Sequence, residues 1–164
     1  MAKRYILDQE TVYKKLQRMA YEILENNLNE KQIILIGIRE NGSVIARNME
    51  DLLKNISDII IERIDLSLDK KEPKMITLSS DPDFNDKVII VVDDVANSGK
   101  TLLYSMKPLL EFHPKKIQTL ALVERTHKAF PIKPDYVGLS VATTFQDHIY
   151  VEVNGNEVKG AWME

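Results

Sequence analysis

Val88-Ile89-Ile90-Val91-Val92-Asp93-Asp94-Val95-Ala96-Asn97-Ser98-Gly99-Lys100-Thr101 is the stretch that decides the fold. Five apolar, mostly β-branched residues without alternation suit a strand buried on both faces, and Leu102 to Phe112 is helix-compatible. The acidic pair and the small polar turn therefore sit at the carboxyl end of a parallel strand, just before a helix. Open α/β sheets bind ligands there, because loops diverge and helix N-termini direct positive partial charge into the crevice. Ser98, Gly99 and Thr101 bring hydroxyls and a permissive backbone to the helix start, so N–H and O–H groups can converge on one phosphate. Lys100 adds charge or faces solvent. Asp93 and Asp94 would repel a polyphosphate beside that nest; they suit sugar hydroxyls, or a magnesium ion held through water. A ligand with a terminal phosphate and a cis-diol satisfies both halves.

Three other readings compete. Ser98-Gly99-Lys100-Thr101 resembles the end of a nucleotide-triphosphatase P-loop, but the first glycine of that motif would fall on Asp94. Phospho-acceptor receivers also carry an acidic pair at a strand end, yet after their first strand, and here two strand units come earlier. The plainest alternative is that the acids only cap a turn.

Working outward, Asp8 is a candidate N-cap, and Val12, Leu16, Met19, Ala20, Ile23 and Leu24 follow at helical spacing up to Asn26-Asn27. Ile33 to Ile38 reads as a second buried strand, broken at Gly42, with Val44, Ile45, Met49, Leu52 and Leu53 on a helix after it. Asp58 to Leu68 begins as a strand, and residues 66–86 read as a mobile flap. Ile117 to Val123 and Tyr136 to Val141 are further strands, separated by a polar, Pro-punctuated stretch. Repeated βα units imply a mainly parallel twisted sheet with helices on both faces. The end, about 148–162, resembles a hairpin around Asn154-Gly155.

The 164 residues fit one domain, 1–164, and the absence of cysteine excludes disulfides and thiol chemistry and agrees with a reducing, cytoplasmic setting. No apolar stretch approaches spanning length, and Met1 to Tyr5 leads into an amphipathic helix instead of a signal-peptide core. A net charge of -3 gives no overall pull toward nucleic acid. His113, His127 and His148 lack ligand-like spacing, Met19, Met49 and Met106 read as core fillers, and Trp162 anchors the last strand or an oligomer contact.

Val88 to Thr101 resembles the phosphoribosyl-pyrophosphate (PRPP) signature of type I phosphoribosyltransferases: an apolar strand, two acids, then Thr/Ser-Gly-Lys/Arg-Thr. The resemblance runs over most of the chain and is closest to the family of bifunctional pyrimidine-operon attenuators and uracil phosphoribosyltransferases. Tyr5-Ile6-Leu7-Asp8, Ile34 to Gly42, Leu120 to His127 and Pro131 to Gly138 match its pattern in order. It implies an α/β fold of the type I kind with a small hood, PRPP and a nucleobase as ligands, Mg2+ as cofactor, and a homodimer or higher homo-oligomer. It gives Asp93 and Asp94 the ribose hydroxyls, and indirectly the metal. It gives Asn97, Ser98, Gly99, Lys100 and Thr101 the 5′-phosphate, and Arg39, Glu40, Asn41 and Gly42 the pyrophosphate, with an unusual backbone at Gly42. Tyr136 would stack on the base and Val137 would read its edge.

Several positions depart from purine-type relatives. Asn97 stands where an aspartate accepts a proton near the base, and Glu124 where a lysine reads the 6-oxo group, which points to uracil. Glu40 brings negative charge toward pyrophosphate, the flap is shorter than in the attenuators, and Asp69-Lys70 replaces a Tyr-Arg pair. The alternative is thus a PRPP- or nucleotide-sensing, RNA-binding attenuator with weak or lost catalysis. Arg125, His127 and Lys128 are then either a solvated loop or part of nucleotide and RNA contacts.

Overall fold

A computed structural model describes residues 3–144 and 146–164; Met1 and Ala2, the start of the segment read above as leading into a helix, lie outside it, as does Phe145. The chain runs β1 (Arg4–Leu7), α1 (Gln9–Glu25), β2 (Gln32–Ile38), α2 (Asn41–Ile56), β3 (Ile60–Leu68), β4 (Ile76–Leu78), β5 (Val88–Ala96) and α3 (Lys100–Ser105). β6 (Lys116–Arg125), β7 (Tyr136–Val141), β8 (Ile149–Asn154) and β9 (Glu157–Met163) follow. Among the described residues, six strands form one sheet in the order β4-β3-β2-β5-β6-β7, parallel except at the β4 edge. The order β1-β9-β8 makes a smaller antiparallel sheet, the hood.

The unbroken apolar runs exist because the large sheet is covered on both faces. Ile33, Leu35, Ile90 and Val92 pack with the apolar stripes of α1 and α2 and with Val151, Val158 and Ala161 of the hood. Ile34, Ile36, Ile89 and Val91 pack on the opposite face with Leu102, Leu109 and Phe84, whose ring meets Phe112 edge-on at 5.3 Å. Asp8 caps α1, accepting a hydrogen bond from the Thr11 amide at 2.8 Å.

Two expectations need correction. The helix expected over Leu102 to Phe112 is six residues long and passes into a 3-10 turn, Lys107–Leu109, because Pro108 has no amide to continue an α-helical ladder. Residues 66–86 are not one mobile flap throughout: β3 runs on to Leu68 and pairs with β4, Leu66 and Phe84 are buried, and the 69–75 tip and the 79–86 loop lie outside the strands. No described helix is long and apolar enough to cross a membrane.

Candidate active site

β2 pairs with β3 on one side and β5 on the other, so the strand order reverses between β2 and β5. A crevice opens outside the carboxyl ends at such a switch point. The β2–α2 loop brings Arg39, Glu40 and Asn41 there, and the end of β5 brings Asp93, Asp94 and the turn Asn97 to Lys100.

Gly42 joins the two loops by close approach. A Cβ on it would stand 2.6 Å from the Val92 carbonyl oxygen and 3.1 Å from the Asp93 Cα, so only glycine lets α2 settle against β5. The unusual backbone expected at Gly42 is corrected, since the positive-φ glycines among the described residues are Gly99 and Gly155. The Arg39–Glu40 peptide bond is cis. Arg39 and Glu40 have exposed side chains, while the Asn41 amide donates to Asp94 Oδ2 at 3.2 Å and to the Val151 carbonyl of the hood at 2.9 Å.

The neighbouring acids have different surroundings. Asp93 is buried and Asp94 half-buried. Each carboxylate accepts the next backbone amide, Asp94 N at 2.9 Å and Val95 N at 2.8 Å. Lys70, from the hairpin tip, brings its Nζ to 3.4 Å from Asp93 Oδ1 and 3.7 Å from Asp94 Oδ1. Asp93 Oδ2 is buried without a partner. Burial pushes the Asp93 carboxyl well above the usual range, Asp94 adds to the rise, and Lys70 opposes it. Burial lowers the Lys70 ammonium, but the attraction of Asp93 and then Asp94 outweighs it, and the net shift is upward.

Beyond the acids the chain turns sharply at Gly99, whose φ of 90° is the left-handed conformation that favours glycine. The Ser98 carbonyl accepts from Ala129 N and Phe130 N at 3.1 and 3.0 Å, and Lys100 N donates to Ser98 Oγ at 3.3 Å. Asn97 to Thr101 line one small cavity with Asp93 and Lys70. With α3 only six residues long, what this turn can offer a ligand is local amides and hydroxyls more than a long helix dipole.

A larger cavity of about 660 Å³ adjoins it, within the size range of small-molecule sites, roughly 300–1,000 Å³. Asn97 and Ser98 belong to both cavities. Its other wall includes Thr143, Thr144, His148, Ile149 and Tyr150, and Tyr150 is backed by Trp162 in a stack at 4.3 Å. Arg125 holds the walls together, donating to Asn97 Oδ1 at 2.9 Å, to Thr143 Oγ1 at 3.0 Å and to the carbonyls of Thr144 and Asp147. None of Thr143, Thr144, Ile149 or Tyr150 was singled out from the sequence as a ligand contact. The signal was available for Thr143 and Thr144, which follow the carboxyl end of β7 as Asn97 follows that of β5.

Tyr136 and Val137 are not brought to this cavity, which corrects their assignment to the base. The parallel register sets Tyr136 opposite Leu120, and Leu120 opposite Val92, two strands away from the acids. Its ring is buried in the core on the α1 face, and its hydroxyl donates to Gln118 Oε1 at 2.9 Å, toward the amino edge of the sheet. The Val137 carbonyl accepts from Arg18 at 2.9 Å. Glu124 is likewise turned inward: its carboxylate accepts from Ser140 Oγ at 2.8 Å and pairs with Lys128 at 3.4 Å, so it is not a reader of a base edge.

Comparison with known proteins accords with this geometry. Residues 4–154 match the phosphoribosyl transferase domain. The bifunctional protein PyrR of Staphylococcus haemolyticus is 32% identical over 171 residues, covering 98% of each chain, and that of Alkaliphilus metalliredigens is 34% identical over 159 residues, covering 91% of this chain and 87% of the other. Among solved structures, a hypoxanthine-guanine phosphoribosyltransferase from Bacillus anthracis superposes with a TM-score of 0.78 at 19% identity, over 97% of this chain and 96% of that one. The hypoxanthine phosphoribosyltransferase of Trypanosoma cruzi gives 0.78 at 14% identity, over 88% and 85%. The chain belongs to the type I phosphoribosyltransferases, in the family of the pyrimidine attenuators and uracil phosphoribosyltransferases that includes the bifunctional PyrR proteins.

Proposed function

We propose that the protein transfers the 5-phosphoribosyl group from PRPP to uracil, releasing pyrophosphate and forming a nucleoside monophosphate. The observation that carries this reading is the junction of two cavities at Asn97 and Ser98, one lined by Asp93 and the Asn97–Thr101 turn, the other large and walled in part by Tyr150. Asp94 and Asp93 would grip the ribose diol, Asn97 to Thr101 the 5′-phosphate, and Arg39, Asn41 and backbone near Gly42 the pyrophosphate. A ring nitrogen of the base attacks the sugar carbon while the bond to pyrophosphate breaks and its electron pair leaves with pyrophosphate. The acceptor nitrogen gives up its proton to the departing pyrophosphate or to water. Positioning and exclusion of water carry most of this, since the oxocarbenium-like centre asks for little covalent help. Asn97 has an amide committed to Arg125, unsuited to taking a proton from a purine, which supports the pyrimidine.

The acidic pair fits magnesium of a particular kind. Among the described residues there is no cluster of three or more potential ligands, yet Asp94 is half-buried beside Asp93, whose Oδ2 lacks a partner. That suits an ion that keeps most of its waters and arrives on the substrate's phosphates. When bound, it would supply positive charge to the leaving group's oxygens. The cysteine-free composition and the family resemblance support a cytoplasmic homo-oligomer.

Purified protein given PRPP, Mg2+ and a panel of free bases is expected to release pyrophosphate with uracil. No release with any base would overturn the catalytic reading. Membership of the attenuator family favours a second reading, a PRPP- or nucleotide-sensing attenuator with weak or lost catalysis that binds a pyrimidine-operon leader transcript. Such binding should weaken steeply as salt rises, and no binding at low salt would remove it.

A further inference from the structure

The tip of the β3–β4 hairpin is fastened at two points to the groups read above as the sugar and phosphate site. Lys70 Nζ lies 3.4 Å from Asp93 Oδ1 and 3.7 Å from Asp94 Oδ1, and Lys100 Nζ, from the phosphate turn, donates to the Lys71 carbonyl at 3.3 Å. The tip is shaped locally for this, since the Asp69 carboxylate accepts the Lys71 amide at 2.9 Å and folds the chain back ahead of the Lys-Lys pair. The space left among Lys70, Asp93 and Asn97 to Thr101 is about 50 Å³.

Lys70 and a ribose diol compete for the same two carboxylates. An ammonium donates to Asp93 and Asp94, and so do the two hydroxyls of a cis-diol; neither can engage fully while the other holds both acids. We propose that Lys70 is a latch: its ammonium holds the hairpin tip on the acidic pair, and the tip must lift before the sugar is gripped. The inference rests on the reading of Asp93 and Asp94 as the diol site. The Lys70 side chain is 48% exposed while Asp93 is 1% and Asp94 14% exposed, so water reaches the latch from the lysine side and screens it there. Opening it also frees Lys100 from Lys71, so the Lys100 ammonium becomes available near the anion as it enters.

The chain has no cysteine, which makes the tip easy to follow. Met75 is 83% exposed, and Met75→Cys carrying a nitroxide reports the motion of the tip. In that background, ribose 5-phosphate with Mg2+ is expected to raise label mobility. Adding Lys70→Met, which keeps the length of the stem and removes the charge, should leave the label mobile before ligand is added. It should also tighten ribose 5-phosphate by about threefold or more by calorimetry, since a pair with a buried acid is worth at least what an exposed pair is. Lys70→Arg should restore both properties. A label equally restrained with Met at position 70, or weaker binding of ribose 5-phosphate by that variant, would overturn the latch. Ribose 5-phosphate bound by neither protein would instead defeat the reading of the diol site, while the label in the free proteins would still decide whether Lys70 holds the tip.

Discussion

The phosphate turn and the wall of the larger cavity face each other across Asn97, yet they are built in different ways. The turn is a contiguous piece of chain, Asn97 to Thr101, held from below by the Ser98 carbonyl and bent at one left-handed glycine. The opposite wall is gathered from the end of β7, the start of β8 and the loop after β6, and one guanidinium ties them together. A local turn advertises itself in a few adjacent residues. A wall assembled across a sheet does not.

The largest effect should come from the acids under the turn. Asp93→Asn with Asp94→Asn is expected to abolish PRPP binding, a loss of a hundredfold or more on the scale of charged hydrogen-bond partners at about 1.5–3 kcal/mol each. Unchanged affinity by calorimetry would show that the turn works without them. Asp93→Asn alone should not unfold the protein. Its carboxyl is raised by burial, so the folded chain binds the proton more readily than the unfolded chain, and stability falls as pH rises from about 3.8 toward the raised value. The amide variant should lack that decline in urea melts across the acid range, and a decline as steep as in the parent would assign it to another group.

Gly99→Ala comes next. Its φ of 90° strains any side chain, and the new Cβ would press the Ile132 and Phe130 carbonyls at 3.3 Å, for a cost of about 1–3 kcal/mol in stability and a weaker hold on phosphate. Equal affinity for ribose 5-phosphate would mean that the turn is not the phosphate site. Tyr150→Ala should sharpen the comparison from the other side. It would weaken binding of a nucleoside monophosphate by about fivefold to a hundredfold, the scale of 1–3 kcal/mol for base–aromatic stacking, and leave ribose 5-phosphate unchanged. A parallel loss for both ligands would show that the two walls act as one. The smallest effect belongs to Tyr136→Phe, which gives up the hydrogen bond to Gln118, costs about 1 kcal/mol of stability, and leaves every ligand affinity alone. Any change in KM for the base would return Tyr136 to the site.

The same contrast explains what could be read in advance. Runs such as Ile33 to Ile38 and Val88 to Val92 announce strands buried on both faces, and the Asp-Asp and Ser-Gly-Lys-Thr spacing announces a polar turn at the carboxyl end of β5 that lines a cavity, because both signals are local. Tyr136 misled because its role was carried over from the family resemblance; only the register against Leu120 shows that its ring points into the core under α1. Glu124 misled for a related reason, since Lys128 and Ser140, which turn its carboxylate inward, are respectively one turn of loop and one whole strand away. Gly42 was legible as an obligatory glycine but not for its cause, which is the nearness of the Val92 carbonyl.

The Asn41 amide touches Asp94 with one hydrogen and the Val151 carbonyl with another, so a single planar group spans the central sheet and the hood. Tilting the hood by even an ångström would drag on the carboxylate, and a carboxylate seized by a sugar would tug back on β8. A ligand that reshapes one sheet would therefore be felt in the other through two short contacts, with no relay of side chains in between.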